Sequence, residues 1–213
     1  LAICKAMQET GIYPDFIVVD GNEGGTGAAP LEFMDHLGMP MREGVNFVHN
    51  ALVGIGARDK IKIGASGKIA TAFDVARAMA IGADWCNSAR GFMFALGCIQ
   101  SLSCHTDRCP TGVATQDPMR NRALVVPHKT ERVYNYHHAT LHALAELLAA
   151  AGLEHPRELR PIHFSQRSST TEVRSFARLY PALRPGELLD GTEDPRFRDA
   201  WAMARADSFQ PVG

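Results

Sequence analysis

Through about the first 90 positions, short apolar runs alternate with stretches of helical periodicity. Residues 1 to 11 read as the end of a helix stopped by Gly11, and Phe16-Ile17-Val18-Val19-Asp20 reads as a buried strand. The chain then enters Gly21-Asn22-Glu23-Gly24-Gly25-Thr26-Gly27-Ala28-Ala29-Pro30, whose glycine content predicts a loop with closely approachable backbone. A helix is expected over Glu43 to Gly54, followed by a second strand at Lys60-Ile61-Lys62-Ile63-Gly64-Ala65. The turn Ser66-Gly67-Lys68 leads to a helix from Thr71 to Ile81, where Thr71-x-x-Asp74 matches a capping box with Asp in place of Glu. Ala83 to Ser88 gives the third strand signal.

Strands alternating with helices predict a parallel α/β sheet, because parallel strands need a crossover helix between them. That pattern does not choose between an open sheet and a barrel. A complete (βα)8 barrel takes eight strands and about 250 residues, so under the barrel reading more than half is missing and the chain is expected to begin mid-protein. Beyond Pro118 the strand signals cease. A helix is expected from Glu131 to Ala151, with Leu141, Leu144 and Leu148 on one stripe that calls for a packing partner. Ser169-x-x-Glu172 reads as a second capping box, and Asp194-Pro195 announces a helix carrying Phe197 and Trp201. His155 to Arg167 is polar and reads as a connection.

Composition narrows the function classes. With 213 residues, 46% hydrophobic and 21% charged, the chain can bury a sizeable core. A net charge of -1 gives no electrostatic reason for a nucleic-acid or anionic-membrane partner. The most apolar stretch, Leu141 to Leu153, carries Glu146 in its middle, so no segment is expected to span a bilayer. With no charged leader at the start, a reducing, cytoplasmic setting is expected. Cys4 and Cys86 sit among apolar neighbours and read as small core residues.

The other three cysteines, Cys98, Cys104 and Cys109-Pro110, fall within twelve positions. Thiolates are soft ligands suited to zinc or an iron-sulfur cluster, and three of them lack the fourth ligand of a closed structural zinc site. Read from residues alone, a cluster, zinc completed by a neighbour such as His105 or Asp107, and unligated thiols all stay open. Glycine-rich turns after the second and third strands, at Gly67 and at Ala89-Arg90-Gly91, suit a phosphate bound by backbone N–H groups, although such turns are also ordinary βα connections. Of the charged residues, Glu23 and Lys68 are the candidates for site chemistry. His138 and His142 have the i,i+4 spacing of metal ligands but read, with His137, as part of a packed or solvated helix.

Gly24-Gly25-Thr26-Gly27-Ala28, Ala95-Leu96-Gly97-Cys98-Ile99 and Cys109-Pro110-Thr111-Gly112-Val113-Ala114-Thr115-Gln116-Asp117-Pro118 together resemble the FMN-binding domain of the glutamate synthase large subunit, over residues 10 to 150. The resemblance implies an α/β fold in which residues 1–97 supply strands six to eight of a (βα)8 barrel, 98–118 form an iron-sulfur loop and 119–213 make a helical extension. It implies FMN held by Gly24, Gly25, Thr26, Gly67, Ala89, Arg90 and Gly91, and a 3Fe-4S cluster on Cys98, Cys104 and Cys109. The implied reaction reduces 2-iminoglutarate, formed from 2-oxoglutarate and free or glutamine-derived ammonia, to L-glutamate. Electrons would come from a donor protein or an NAD(P)H-oxidising subunit. Two departures stand out: Lys68 replaces the second glycine of the family's phosphate turn, and Ala89-Arg90 replaces its Gly-Thr. Glu23 stands where the family has Asp. An electron-transfer module without amination activity and a zinc-stabilised scaffold are the alternatives.

Overall fold

A computed structural model of the chain describes residues 1–23, 29, 33–34 and 36–210. Helix α1 (Ala2–Thr10) ends at Gly11, whose left-handed φ of 71° lets its N–H return to the Met7 carbonyl. Strand β1 (Phe16–Asp20) follows, then α2 (Met41–Gly54), β2 (Lys62–Ser66), α3 (Ala72–Ala80), β3 (Trp85–Asn87) and α4 (Arg90–Leu96). The three strands pair in the order β1-β2-β3, all parallel. The α/β reading of this region therefore holds, with element ends moved by at most two residues. At α3 the capping box is complete: the Thr71 hydroxyl accepts from the Asp74 N–H, and the Asp74 carboxylate accepts from the Thr71 N–H.

Alternation along the strands divides the sheet into two unlike faces. Ile17, Val19, Ile63, Ala65 and Cys86 point to the helices and join one core with Val45, Leu52 and Ile81. Phe16, Val18 and Trp85 share the opposite face with Gly64, where Trp85 lies close enough that a Cβ on Gly64 would stand 2.6 Å from its ring. Phe16 meets Trp85 edge to face at 5.6 Å, yet Phe16 remains 56% exposed and Val18 43%.

The carboxy-terminal half departs from expectation in three places. Helix α5 (Pro118–Asn121) precedes the long helix α6, which covers Val126–Ala150 and so begins five residues before the expected Glu131. Pro127, in its first turn, supplies a preset φ and lacks only an N–H that a helix start leaves unpaired. Leu144 and Leu148 are buried against α3, but Leu141 is 51% exposed, because the buried stripe is narrower than the sequence pattern. Where Ser169-x-x-Glu172 suggested a helix, the chain makes an antiparallel hairpin of β4 (Ser165–Arg167) and β5 (Val173–Ser175). There the Glu172 carbonyl accepts from the Ser168 and Ser169 N–H groups and closes a turn. Helices α7 (Phe176–Leu179), α8 (Glu187–Asp190) and α9 (Arg198–Met203) complete the fold, and Phe176, Leu188 and Phe197 enter the same core as the sheet. No helix among the described residues is long and apolar enough to cross a membrane.

Candidate functional site

Parallel strands deliver their following turns to one end of a sheet, and here that end collects Glu23, Gly67, Lys68, Ala89, Arg90 and Gly91. Gly21, directly after β1, donates its N–H to the Ser66 carbonyl at the end of β2, joining the first two turns. The Glu23 carboxylate accepts the Met41 N–H at the start of α2, at 2.9 and 3.0 Å. Its charge thus stabilises a helix start, and its oxygen would lie 3.0 Å from a Cβ on Gly67. This gives Glu23 a structural task that the sequence did not announce.

Gly67, at φ 153°, turns the chain beneath Met41, whose Cβ would be 2.7 Å from any side chain placed there. Lys68 follows in the left-handed region at φ 47°, a conformation costly for a residue with a Cβ. The start of α3 is a poor phosphate cradle, because Asp74 already accepts the N–H groups of Ala70 and Thr71 and adds a negative charge. Burial opposes ionisation of Asp74, but bonds from Thr71, Arg77 and the backbone outweigh it and hold the carboxyl below its ordinary range. The turn after β3 differs: Ala89, whose methyl cannot cap, precedes α4, and Arg90 and Gly91 form its opening. Gly24, Gly25 and Thr26 lie outside the described residues.

Tyr136, on α6, is a residue that sequence reasoning passed over. Its hydroxyl donates to the Ala70 carbonyl at 2.6 Å, and its ring meets Phe92 of α4 edge to face at 5.0 Å. Ser88, just ahead of Ala89, donates to the Ile69 carbonyl at 2.7 Å. A Cβ on Gly91 would collide with the Tyr136 hydroxyl, so glycine at 91 is the condition for this contact. An apolar-patterned helix with one aromatic turned inward gives little warning of such a bond in sequence.

From α4 the chain passes into the cysteine loop through Gly97, at φ 111°. Left-handed residues at Gln100, Leu102 and Asp107 fold the loop tightly. Asp107 binds its second half: its carboxylate accepts from the Gln116 N–H and the Thr115 hydroxyl, at 2.6 and 2.9 Å. Asp117 then caps α5 by accepting the Met119 N–H. Cys109 is buried in this turn, and although burial resists ionisation, the Thr111 hydroxyl and the backbone N–H groups of Ala114, Thr111 and Val113 pull its thiol down to about 7. A thiolate held by N–H donors is the form that ligates iron or zinc. Cys4 and Cys86 contrast with it: burial raises both thiols, that of Cys86 to about 12, in keeping with a core role. Among the described residues no three His, Cys, Asp or Glu side chains are grouped to hold one metal ion. Cys98, Cys104 and Cys109 thus share a loop and, at Cys109, the right donor chemistry, without forming a single-ion site of the zinc kind.

Residues 4–154 match a family described as a conserved region in glutamate synthase. A glutamate synthase large subunit-like protein of Bacillus subtilis is 48% identical over 160 residues, covering 75% of this chain and 30% of that protein. The archaeal glutamate synthase [NADPH] of Methanocaldococcus jannaschii is 41% identical over 146 residues, covering 68% and 29%. A ferredoxin-dependent glutamate synthase of Synechocystis is 38% identical over 139 residues, covering 65% and 9%. The chain therefore spans about 30% of the length of the first two of these curated relatives.

Proposed function

The chain belongs to the glutamate synthase family, and from that premise we propose that it is part of an FMN- and iron-sulfur-dependent oxidoreductase that reduces 2-iminoglutarate to L-glutamate. In this reading β1 to β3 are strands six to eight of a (βα)8 barrel, and the sheet face bearing Phe16, Val18 and Trp85 is its interior. Parallel sheets are covered on both faces, so a bare apolar face supports further strands or helices over it.

The observation that carries the functional reading is the gathering of the three strand-end turns at one end of the sheet, with the cysteine loop continuing directly from the third. Backbone at Gly67-Lys68 and at the start of α4 would hold the FMN phosphate, assisted by the positive charges of Lys68 and Arg90. Arg suits this place because its guanidinium can make two parallel hydrogen bonds to a phosphate. Ala89 keeps that approach free of side-chain bulk, while Gly91 makes room for the Tyr136 hydroxyl. Gly24, Gly25 and Thr26 are assigned to the flavin by resemblance. Cys98, Cys104 and Cys109 would hold the 3Fe-4S cluster, with ionisation of the Cys109 thiol eased by the N–H groups around it.

When bound, the flavin supplies a hydride to the C=N carbon, and the cluster relays the electrons that replace it. The imine nitrogen must gain a proton in the same reduction; Lys68 serves the phosphate and Glu23 the start of α2, so that proton comes from elsewhere in the full-length protein. The substrate imine requires 2-oxoglutarate and ammonia. Electrons require a partner, and relatives are named for both NADPH and ferredoxin.

Two measurements on the full-length protein test this. Dithionite-reduced flavin should be reoxidised anaerobically by 2-oxoglutarate with ammonia; reoxidation by electron acceptors alone would favour the electron-transfer module. Arg90→Glu should lower FMN occupancy at least tenfold by setting an anion against the phosphate. Unchanged occupancy would remove Arg90 from the site.

A further inference from the structure

We infer that Tyr136 is a positioning residue for the flavin phosphate, fixing the separation between the turn after β2 and the turn after β3. This rests on the FMN reading above. The two turns follow strands whose ladder, among the described residues, ends at Ser66 and Asn87. A small hydrogen-bonded staple joins them there.

Ser88, at the β3 turn, donates across to Ile69 of the β2 turn at 2.7 Å, and Tyr136 donates to Ala70 beside it at 2.6 Å. Each hydroxyl has one hydrogen, and both are already given to carbonyls. The 3.3 Å between the two hydroxyl oxygens is therefore a packing contact, which keeps Ser88 seated under the tyrosine. Gly91 completes the arrangement by leaving room for the Tyr136 hydroxyl, and Phe92 packs edge-on to the same ring. One side chain thus touches residues two positions beyond Lys68 and one position beyond Arg90. It comes from α6, the helix reached only after the cysteine loop, so the correct seating of that loop's exit bears on the geometry of both turns. A phosphate that bridges two turns is sensitive to their separation, because its bonds to each lose alignment when either shifts.

Tyr136→Phe removes the hydroxyl and keeps the ring. In the full-length protein, stripped of flavin and titrated by fluorescence quenching, this variant should bind FMN about five- to tenfold more weakly while its affinity for riboflavin stays within about twofold. Ser88→Ala should show the same selective loss to a smaller degree, and it tests the staple if the tyrosine variant fails to fold. Amide exchange in the flavin-free protein should quicken in peptides spanning 66–72 and 86–92 of Tyr136→Phe, with α2 unaffected. Equal losses for FMN and riboflavin, or wild-type FMN affinity in both variants, would overturn the inference. Failure of the wild type to bind FMN would overturn the flavin reading and the phosphate role with it, and the exchange measurement would then report only whether Tyr136 holds the turns.

Discussion

At the level of single residues, Lys68 illustrates how a site can carry local strain. It occupies the left-handed region at φ 47° directly after Gly67, in a turn where the resemblance implies a second glycine. A side chain with a Cβ costs about 1 kcal/mol or more in that conformation. Lys68→Gly should therefore raise the thermal midpoint of the flavin-free protein by a few degrees and weaken FMN binding by removing a cation. Tighter or unchanged FMN binding alongside the gain in stability would show that the lysine has no part in holding phosphate. What was legible in sequence at this scale is local: close approaches at Gly67 and Gly91 follow from glycine-rich turns, and the three cysteines share the one loop their spacing implies. The contacts of Glu23 and Tyr136 were not legible, because a carboxylate that caps a helix eighteen positions away and a tyrosine that bonds a carbonyl sixty-six positions away leave no local signature.

Among the elements, regular ones were the most legible. β1 matches its apolar run residue for residue, and α3 begins where its capping box says, because both signals are local. The hairpin β4–β5 was missed for the complementary reason: Ser169-x-x-Glu172 satisfies a turn as readily as a helix start, and tertiary contacts decide between them. The segment after α6 shows how much such contacts contribute. Asn50 of α2 is fully buried, and its amide accepts the Leu183 N–H at 2.7 Å and donates to the Pro181 carbonyl at 3.2 Å. Next to it Leu188 fills the space that a side chain on Gly54 would occupy. These contacts bring Leu183 and Leu188 into the core although the family match ends at 154. Leu188→Ala should cost about 3 kcal/mol and lower the thermal midpoint of the full-length protein, since a buried leucine leaves a cavity that helix α2 cannot close. Leu141→Gln, on the exposed side of α6, should leave that midpoint unchanged to within a degree or two. Equal effects would mean that the carboxy-terminal segment is draped on the fold without supporting it.

For the molecule as a whole, the governing feature is the uncovered side of the sheet. Phe16, Val18 and Trp85 form an apolar strip there, and among the described residues β1 has no neighbour on its outer edge. An exposed strip of this kind joined to a free parallel edge invites pairing with other chains. Produced by itself, this 213-residue chain should self-associate, and light scattering should show particles larger than a monomer at micromolar concentration. Placing Lys at both Phe16 and Val18 should reduce that association by putting charge on the strip and along the edge strand. The same double substitution in the full-length protein should have the opposite value: if the strip is the interior of a closed barrel, two buried lysines without partners should abolish soluble expression or flavin retention. A surface strip would predict otherwise, with the full-length double variant folding and retaining flavin as the wild type does. That result, or an isolated chain that is monomeric and unfolds cooperatively, would show that three strands with their helices make a finished sheet, and the barrel reading would fall while the family assignment stood.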